Sequence, residues 1–485
     1  MPPAASVRPR ERSLLHELEK APEMTIEIRN PAAPQTIVAT YEEIGDRALD
    51  AIIERARAAQ AGWKAVPQPE RGKRVAAFLD ALEAATEEIA ASITREMGKP
   101  LAEARGEIGK AIGEGRMTVA RAGAPIGEVF PSQVPGTVAY TTRRPRGVVL
   151  GINPWNFPFS TPVRKAIPAL VYGNAIILKP ASLTPGALVI MERIAAETLP
   201  EGLLQVVIGS GALAQTLCEH SGIDAISFTG SVGVGKRVAI AAASHLAEVS
   251  LELGGKNPAI LNDANDLDKV LDQIMAAAFA VCGQRCTAVS RVIVNEKIAE
   301  AVTAGLAARA RAIAPGDPSL EGVRMGPLSS RKQLEDVAGF VARARAAGAT
   351  VAAGGEKIDT PEGGFFYAPT ILSSVTRDME VAREEVFGPV LSVISYADID
   401  EALSIANEVS YGLASCLYSE QAPVIERFAA ESESGMLHIN AGSFPENHLP
   451  FVGVKDSALG VGGSNGPSTI QFYTSEHTVY RRAMA

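Results

Sequence analysis

From Arg146 to Gly255 five short apolar runs alternate with segments of helical period, and this alternation constrains the fold more than any other feature of the chain. The runs are Gly147–Ile152, Asn174–Lys179, Leu203–Ile208, Ala225–Phe228 and Val249–Leu253, with helices predicted near 160–172, 184–198, 211–220 and 232–243. Continuous apolar runs, as opposed to alternating ones, suit strands covered on both faces, so the expectation is a parallel α/β sheet. A second series follows, with strands predicted at Pro258–Leu261, Ser290–Val294, Val390–Ile394 and Gly435–Ile439. Before both, roughly 42–120 is rich in Ala, Glu, Lys and Arg with long helical periodicity, expected to pack on the first domain. A chain of 485 residues accommodates two or three such domains.

Two pieces fit neither series. Gly127 to Thr142 reads as a hairpin thrown out from the first domain, and Thr469 to Tyr480 as a terminal strand. Exposed edges are usually paired. A partner subunit is expected, against the alternative that the hairpin folds back on its own domain.

Four cysteines, at 218, 282, 286 and 416, have neither the density of a disulfide framework nor metal-ligand spacing, so no metal is expected and a reduced, cytoplasmic setting is. A net charge of −9 with interspersed signs offers no basic stripe for nucleic acid. No segment approaches the ~20 apolar residues of a membrane span. The first two dozen residues, basic and then acidic without an apolar stretch, read as an arm and not as a signal peptide.

Chemistry concentrates in two motifs. In Phe279-Ala-Val-Cys-Gly-Gln-Arg-Cys286-Thr, Cys286 follows a Gly-Gln-Arg turn that lets it stand clear of the backbone. In Leu251-Glu252-Leu-Gly-Gly-Lys256 a carboxylate closes an apolar strand. Together they are the soft nucleophile and the base that covalent oxidation of an aldehyde requires. A cap or an ion pair with Lys256 is the structural alternative for Glu252.

Open parallel sheets bind ligands outside the carboxyl ends of their strands. Asn153-Pro-Trp-Asn156-Phe-Pro158 follows the first strand, Lys179-Pro-Ala-Ser182 the second, and Thr229-Gly230-Ser231-Val-Gly-Val-Gly235 the fourth, where it opens a helix. Glycines at such a turn let backbone N–H groups approach a pyrophosphate. The spacing is not GxGxxG, and a plain turn is the alternative. Lys179 suits ribose or phosphate, unless it is a solvated surface lysine.

With Pro154-Trp-Asn-Phe-Pro158, Lys179-Pro, Phe228-Thr-Gly-Ser231, Glu252-Leu-Gly-Gly-Lys256, Gly283-Gln-Arg-Cys286, Glu384-Glu-Val-Phe-Gly-Pro389 and Pro450-Phe with Gly453-x-Lys455 in this order, the chain resembles the aldehyde dehydrogenase superfamily over nearly its whole length. The resemblance implies a Rossmann-type cofactor-binding domain (26–125 and 143–254), an α/β catalytic domain (255–445) and a small β oligomerisation element (126–142 and 466–485). Residues 446–465 would form the substrate mouth and 1–25 the arm. A homodimer or homotetramer is implied.

The resemblance also implies roles. Cys286 would be the nucleophile, Glu252 the base for water, and Asn156 an oxyanion donor with the Cys286 N–H, where losing one donor costs about 3–4 kcal/mol. Lys179 joins the catalytic group and the cofactor site, which comprises Ile152, Pro154, Trp155, Lys179, Ser182, Gly209, Gly230, Ser231, Leu253, Glu385 and Phe387. Cys282, Cys218 and Cys416 read as buried free thiols. Serine at 182, where relatives insisting on NAD often carry an acid, implies that NADP is accepted as well as NAD, with a slight lean to NADP.

Arg164, Arg285, Phe157 and Phe451 form the expected substrate set. Relatives acting on aldehydes with an anionic tail carry arginine at one or both of the first two places, and an arginine fork binds carboxylate. Each arginine could instead be paired to an acid of its own protein. The run Glu446-Asn-His448-Leu-Pro-Phe451 with Phe472-Tyr-Thr and His477-Thr-Val-Tyr480 looks most like the branch oxidising 2-oxoglutaric semialdehyde (2,5-dioxopentanoate). Succinic semialdehyde is the runner-up and a vanillin-type aldehyde third. Val452 and Ala458 stand where the family usually has glycine. A CoA-acylating enzyme, which Glu252 argues against, and a non-catalytic scaffold are the remaining alternatives.

Overall fold

The computed structural model describes residues 25–462 and 464–482. The expected arm therefore lies outside the described residues, except for Thr25, which begins a strand.

Two sheets organise the described chain. The first has the strand order Ala458–Gly460, Glu248–Glu252, Ala225–Thr229, Val148–Ile152, Ala175–Lys179, Leu204–Val206, parallel except at the Ala458–Gly460 edge. Its central strands Val148–Ile152 and Ala175–Lys179 are buried at every position. Such burial contributes about 1.5–3 kcal/mol for each large aliphatic side chain, which is why these runs carry no polar alternation. Helices Ser160–Val171, Gly186–Thr198, Gly211–Glu219 and Val232–Ala243 connect the strands as predicted.

The second sheet runs Thr350–Ala353, Thr370–Ser373, Val390–Tyr396, Val289–Asn295, Asn257–Leu261, Ala414–Tyr418, Met436–Ile439. All four predicted strands are in it. Thr350–Ala353, Thr370–Ser373 and Ala414–Tyr418 were not anticipated; each is only four or five residues long, too short to stand out by pattern alone.

Helices fill 49–63, 68–84, 86–97 and 101–120, ahead of a hairpin, Thr25–Asn30 with Ala33–Glu42, that the sequence reading did not foresee. These helices lean on the first sheet's own layer: the buried Trp63 donates its Nε1 hydrogen to the Leu170 carbonyl at 2.7 Å. No helix among the described residues is long and apolar enough to cross a membrane.

The two leftover pieces meet. Thr474–Arg482 pairs antiparallel with Thr137–Pro145, which also pairs with Val129–Phe130. The expected hairpin thus runs three residues past 142, and the expected strand starts late, because Thr469–Tyr473 is a helical turn that buries Phe472 and Tyr473. Residues 458–460, expected at the substrate mouth, instead complete the first sheet beside Glu248–Glu252.

Candidate active site

The first sheet changes direction between Val148–Ile152 and Ala225–Thr229: one half of the strand sequence runs outward on each side of this pair. Ligand crevices form at such switch points. Here a cavity of about 580 Å³ opens, walled by Pro154–Phe157 after one strand and Thr229–Ser231 after the other, with Cys286, Glu252 and Glu385 inside it.

Cys286 is delivered by a strained turn. Val281 and Cys282 adopt φ of 57° and 56°, followed by Gly283 at 69°. A β-branched residue in the left-handed region is costly and needs support. Glu103 supplies some of it, accepting the Val281 N–H at 3.1 Å, and Gln284 adds more, donating from Nε2 to the Val281 carbonyl and accepting the Ser329 N–H at 2.9 Å. Gly283 is required by space as well as by angle, since a β-carbon there would lie 2.2 Å from the Gly388 carbonyl oxygen.

Burial pushes the Cys286 thiol up to about 12, with Glu385 and Glu252 adding to the effect and Arg285 and Arg164 opposing it. Among the other thiols, Cys282, Cys218 and Cys416 are buried, as expected of inert cysteines. Burial likewise raises Glu252 to about 7, against a partial pull downward from Arg164 and Lys165. Its Oε2 is buried without a hydrogen-bond partner, which removes the cap and Lys256 ion-pair readings for that oxygen. Asn156, buried, donates from Nδ2 to the Gln284 carbonyl at 2.9 Å, two residues before Cys286.

The nicotinamide-side candidates cluster on the opposite wall. Trp155 and Phe387 meet edge to face at 5.4 Å. Phe387 has φ of 55°, and its carbonyl accepts from Gln333 Nε2 at 2.8 Å, a support the sequence reading missed. Glu385 accepts the Gly255 N–H at 3.1 Å and is raised by burial to about 7.

Ile152 ends the strand that leads into the cavity wall, Lys179 and Ser182 lie at the end of the next strand and Gly209 after the one beyond it, all outside the cavity itself. Ser182 Oγ donates to the Gly209 carbonyl at 3.3 Å. Lys179 is buried, not a solvated surface lysine, and burial lowers it to about 8 while Glu43 pulls the other way. A dinucleotide fits this groove: Ser231 begins the helix Val232–Ala243 without a side-chain cap bond, and space above Gly233 is open. Uncapped N–H groups at such an end attract phosphate.

The two arginines part company. Arg164 donates from Nε and Nη2 to both oxygens of Glu114, at 3.1 and 2.9 Å, and stacks over Phe451. The Nε–Nη2 edge of its fork is thus taken by Glu114, the own-protein acid that the sequence left open as the alternative, while Arg164 still lines the cavity. Arg285 has no carboxylate in hydrogen-bond contact. It donates from Nη2 to Thr287 Oγ1 and the Ser443 carbonyl and stacks 4.4 Å over Phe444, while its buried Nη1 has no partner. Phe157 lies under the Lys99 ammonium at 4.2 Å, and Phe451 packs with Leu413, Ala414 and Met436 against Cys286 and Val452.

Sequence reading also missed the charged face of the helix Leu101–Ala120. Glu103, Glu107, Lys110 and Glu114 recur at 4-3-4 spacing, one helix face, and the first three line the cavity. Glu107 pairs with the buried Lys99, caps the N–H groups of Phe159 and Ser160, and so ties this helix to the Asn156 loop; Lys99 completes the tie by donating to the Asn156 carbonyl at 2.7 Å. Charged residues three and four apart on a helix preceded by Pro100 were the available signal.

A profile described as "Aldehyde dehydrogenase family" matches residues 18–479. The "Alpha-ketoglutaric semialdehyde dehydrogenase" of Bacillus subtilis (strain 168) is 37% identical over 462 residues, 94% of each chain. A "Betaine aldehyde dehydrogenase" of Cereibacter sphaeroides is 39% identical over 456 residues, 92% of this chain and 93% of that one. The solved structure titled "3,6-anhydro-L-galactose Dehydrogenase in Complex with NAP" superposes with a TM-score of 0.91 at 32% identity, covering 94% of this chain and 96% of the other. The chain belongs to the aldehyde dehydrogenase family, oxidoreductases that act on aldehydes with NAD or NADP.

Proposed function

We propose that the chain oxidises an aldehyde with an anionic tail, 2-oxoglutaric semialdehyde in the first place and succinic semialdehyde as the near alternative, to the carboxylate through a covalent thioester on Cys286. The observation that carries the anionic tail is that Arg285 lines the cavity that holds Cys286 with no carboxylate in hydrogen-bond contact, its buried Nη1 having no hydrogen-bond partner. A guanidinium nitrogen left unsatisfied in protein costs free energy that a substrate carboxylate would recover. The 37%-identical relative named for alpha-ketoglutaric semialdehyde supports the same choice. A betaine-type aldehyde, despite the 39%-identical relative, carries a fixed positive charge that Arg285 would repel.

In this reading the Cys286 thiol gives its proton to water and its sulfur attacks the aldehyde carbon, while the Asn156 side-chain amide and the Cys286 N–H stabilise the oxyanion. A bound oxidised nicotinamide supplies the hydride acceptor and a positive charge. With the nicotinamide bound, the hydride of the former aldehyde carbon would pass to it and Cys286 would be left holding the acyl group as a thioester. Glu252, half ionised near neutrality, takes a proton from water; the resulting hydroxide attacks the acyl carbon and the thiolate leaves. Trp155, Phe387 and Leu253 would pack near the nicotinamide, Glu385 would hold its ribose, and Lys179, Ser182 and Gly209 with Ile152 and Pro154 would meet the adenosine half. Gly230 and Ser231 would face the phosphates. Ser182 leaves room for a 2′-phosphate, which favours NADP slightly; the acid Glu43 near Lys179 works against that preference.

Assay of 2-oxoglutaric semialdehyde, succinic semialdehyde, vanillin and betaine aldehyde with each cofactor tests the reading, together with Arg285→Met. The expected result is a carboxylated aldehyde ahead of the neutral and cationic ones by tenfold or more in kcat/KM, with the lead lost in the variant. A neutral or cationic aldehyde in the lead overturns it. The pairing of Thr474–Arg482 with Thr137–Pro145 leaves Val129, Val138 and Tyr480 exposed, which supports a homodimer or homotetramer built on this small sheet.

A further inference from the structure

Arg285 is not the only cation of the cavity without an acid. Lys110, from the charged face of the helix Leu101–Ala120, also lines it and forms no ion pair within 4 Å among the described residues. Its ammonium donates to the Pro445 carbonyl at 2.8 Å. Two residues earlier on the same loop, the Ser443 carbonyl accepts from Arg285, and Phe444 between them lies under the guanidinium. One three-residue loop segment therefore holds two cations side by side by backbone carbonyls, neutral groups that orient without cancelling charge. Each cation keeps donors to spare: Lys110 has two ammonium hydrogens beyond its bond to Pro445, and Arg285 has Nη1.

The surrounding charges do not fill this gap. Glu114 is bound on both oxygens by Arg164, and Glu103 spends its carboxylate on the Val281 N–H. The Lys99–Glu107 pair beneath is neutral as a whole. Glu252 and Glu385 also line the cavity, each raised by burial to about 7 and so only partly ionised near neutrality, and Lys110 and Arg285 remain without a paired acid among the described residues, so that a substrate carboxylate would meet two cations.

Resting on the function proposed above, we infer that Lys110 is a specificity-determining residue that holds the far carboxylate of the substrate jointly with Arg285, the two forming a two-cation receptor hung on the Ser443–Pro445 segment. The aldehyde then reaches Cys286, next in sequence to Arg285, from a tail fixed at two points. A tail with a ketone beside its carboxylate, as in a 2-oxo acid, presents both oxygens to the pair.

The test compares the wild type with Lys110→Met, Lys110→Arg, Arg285→Met and the double variant. The readout is the ratio of kcat/KM for 2-oxoglutaric semialdehyde to that for pentanal. Loss of one charge-assisted bond predicts a fall in the ratio of about tenfold to a hundredfold for Lys110→Met, carried by KM, with Lys110→Arg restoring most of it. The double variant should lose less than the product of the single losses, since both cations hold one carboxylate. Glutarate binding to the cofactor-free protein, measured by calorimetry, should weaken in parallel. Should Lys110→Met fail to fold, the wild type serves alone: its KM for the semialdehyde must rise in alkali below the ordinary lysine range, since burial lowers the Lys110 ammonium, while KM for pentanal stays level. A level semialdehyde KM, or a Lys110→Met ratio within twofold of wild type while Arg285→Met lowers it, overturns the role of Lys110 and leaves the anionic substrate standing. Ratios unchanged in both variants overturn the anionic substrate itself.

Discussion

Replacement of Glu252 by Gln separates the cost of this buried acid from its use. The carboxylate ends its strand at 6% exposure, and burial lifts it from the ordinary 4.5 to about 7 despite Arg164 and Lys165 nearby. That displacement means the ionised form is held at a cost of about 3 kcal/mol relative to the unfolded chain. The folded-state value lies above the unfolded one, so the folded protein binds the extra proton between the two. The cost is accordingly absent below about pH 4.5, grows as pH rises, and is complete above about pH 7. Glu252→Gln, which cannot ionise, should gain stability over the wild type by about 3 kcal/mol on going from pH 4.5 to pH 8. Catalysis moves the other way. With thioester hydrolysis limiting, wild-type kcat should fall about tenfold per pH unit below 7, and the variant should lose about 10²–10⁴ in kcat together with that acid limb. Urea midpoints at pH 5 and pH 8 read the first effect, and stopped-flow turnover reads the second, with the first burst of reduced cofactor retained in the variant. A limb near pH 7 that survives in Glu252→Gln, or a steady rate within tenfold of wild type, refutes the assignment.

Two further outcomes bear on the nucleophile. Gly283→Ala places a β-carbon 2.2 Å from the Gly388 oxygen at a φ of 69°, adding about 1–2 kcal/mol of left-handed strain to a backbone clash; kcat/KM should drop a hundredfold or more, with a lower melting temperature, and a loss under threefold would show that the turn does not set Cys286. Because burial holds the Cys286 thiol near 12 in the cofactor-free protein, its alkylation by iodoacetamide, followed by peptide mass analysis, should rise about tenfold per pH unit from pH 7 to pH 10; a plateau below pH 9 would contradict this.

Much of the frame was legible because strands such as Val148–Ile152 and Ala175–Lys179 are buried on both faces, and that condition writes itself into local sequence as an unbroken apolar run. The short strand Ala414–Tyr418 and the turn Thr469–Tyr473 escaped the same reading: Ser415 interrupts the first and Gln471 the second, so neither is an unbroken apolar run. The candidate site divides likewise. Cys286, Glu252 and Asn156 stood out by residue type within distinctive motifs, and the fold brings them to one cavity.

Sequence by itself determined the parallel α/β arrangement and singled out the candidate reactive groups, since hydrophobic period and chemical type are local properties of a chain. Tertiary structure alone decided what the charges do. Glu103, Glu107, Lys110 and Glu114 share one helix face whether that face meets water or a cavity, and only packing turns it inward. Arg164 and Glu114 lie fifty residues apart and become partners through the contact of two helices, while Arg285, equally basic, meets a hydroxyl, one carbonyl and a ring, all neutral. Electrostatic pairing depends on distances of a few ångströms between elements remote in the chain, and no local pattern encodes them.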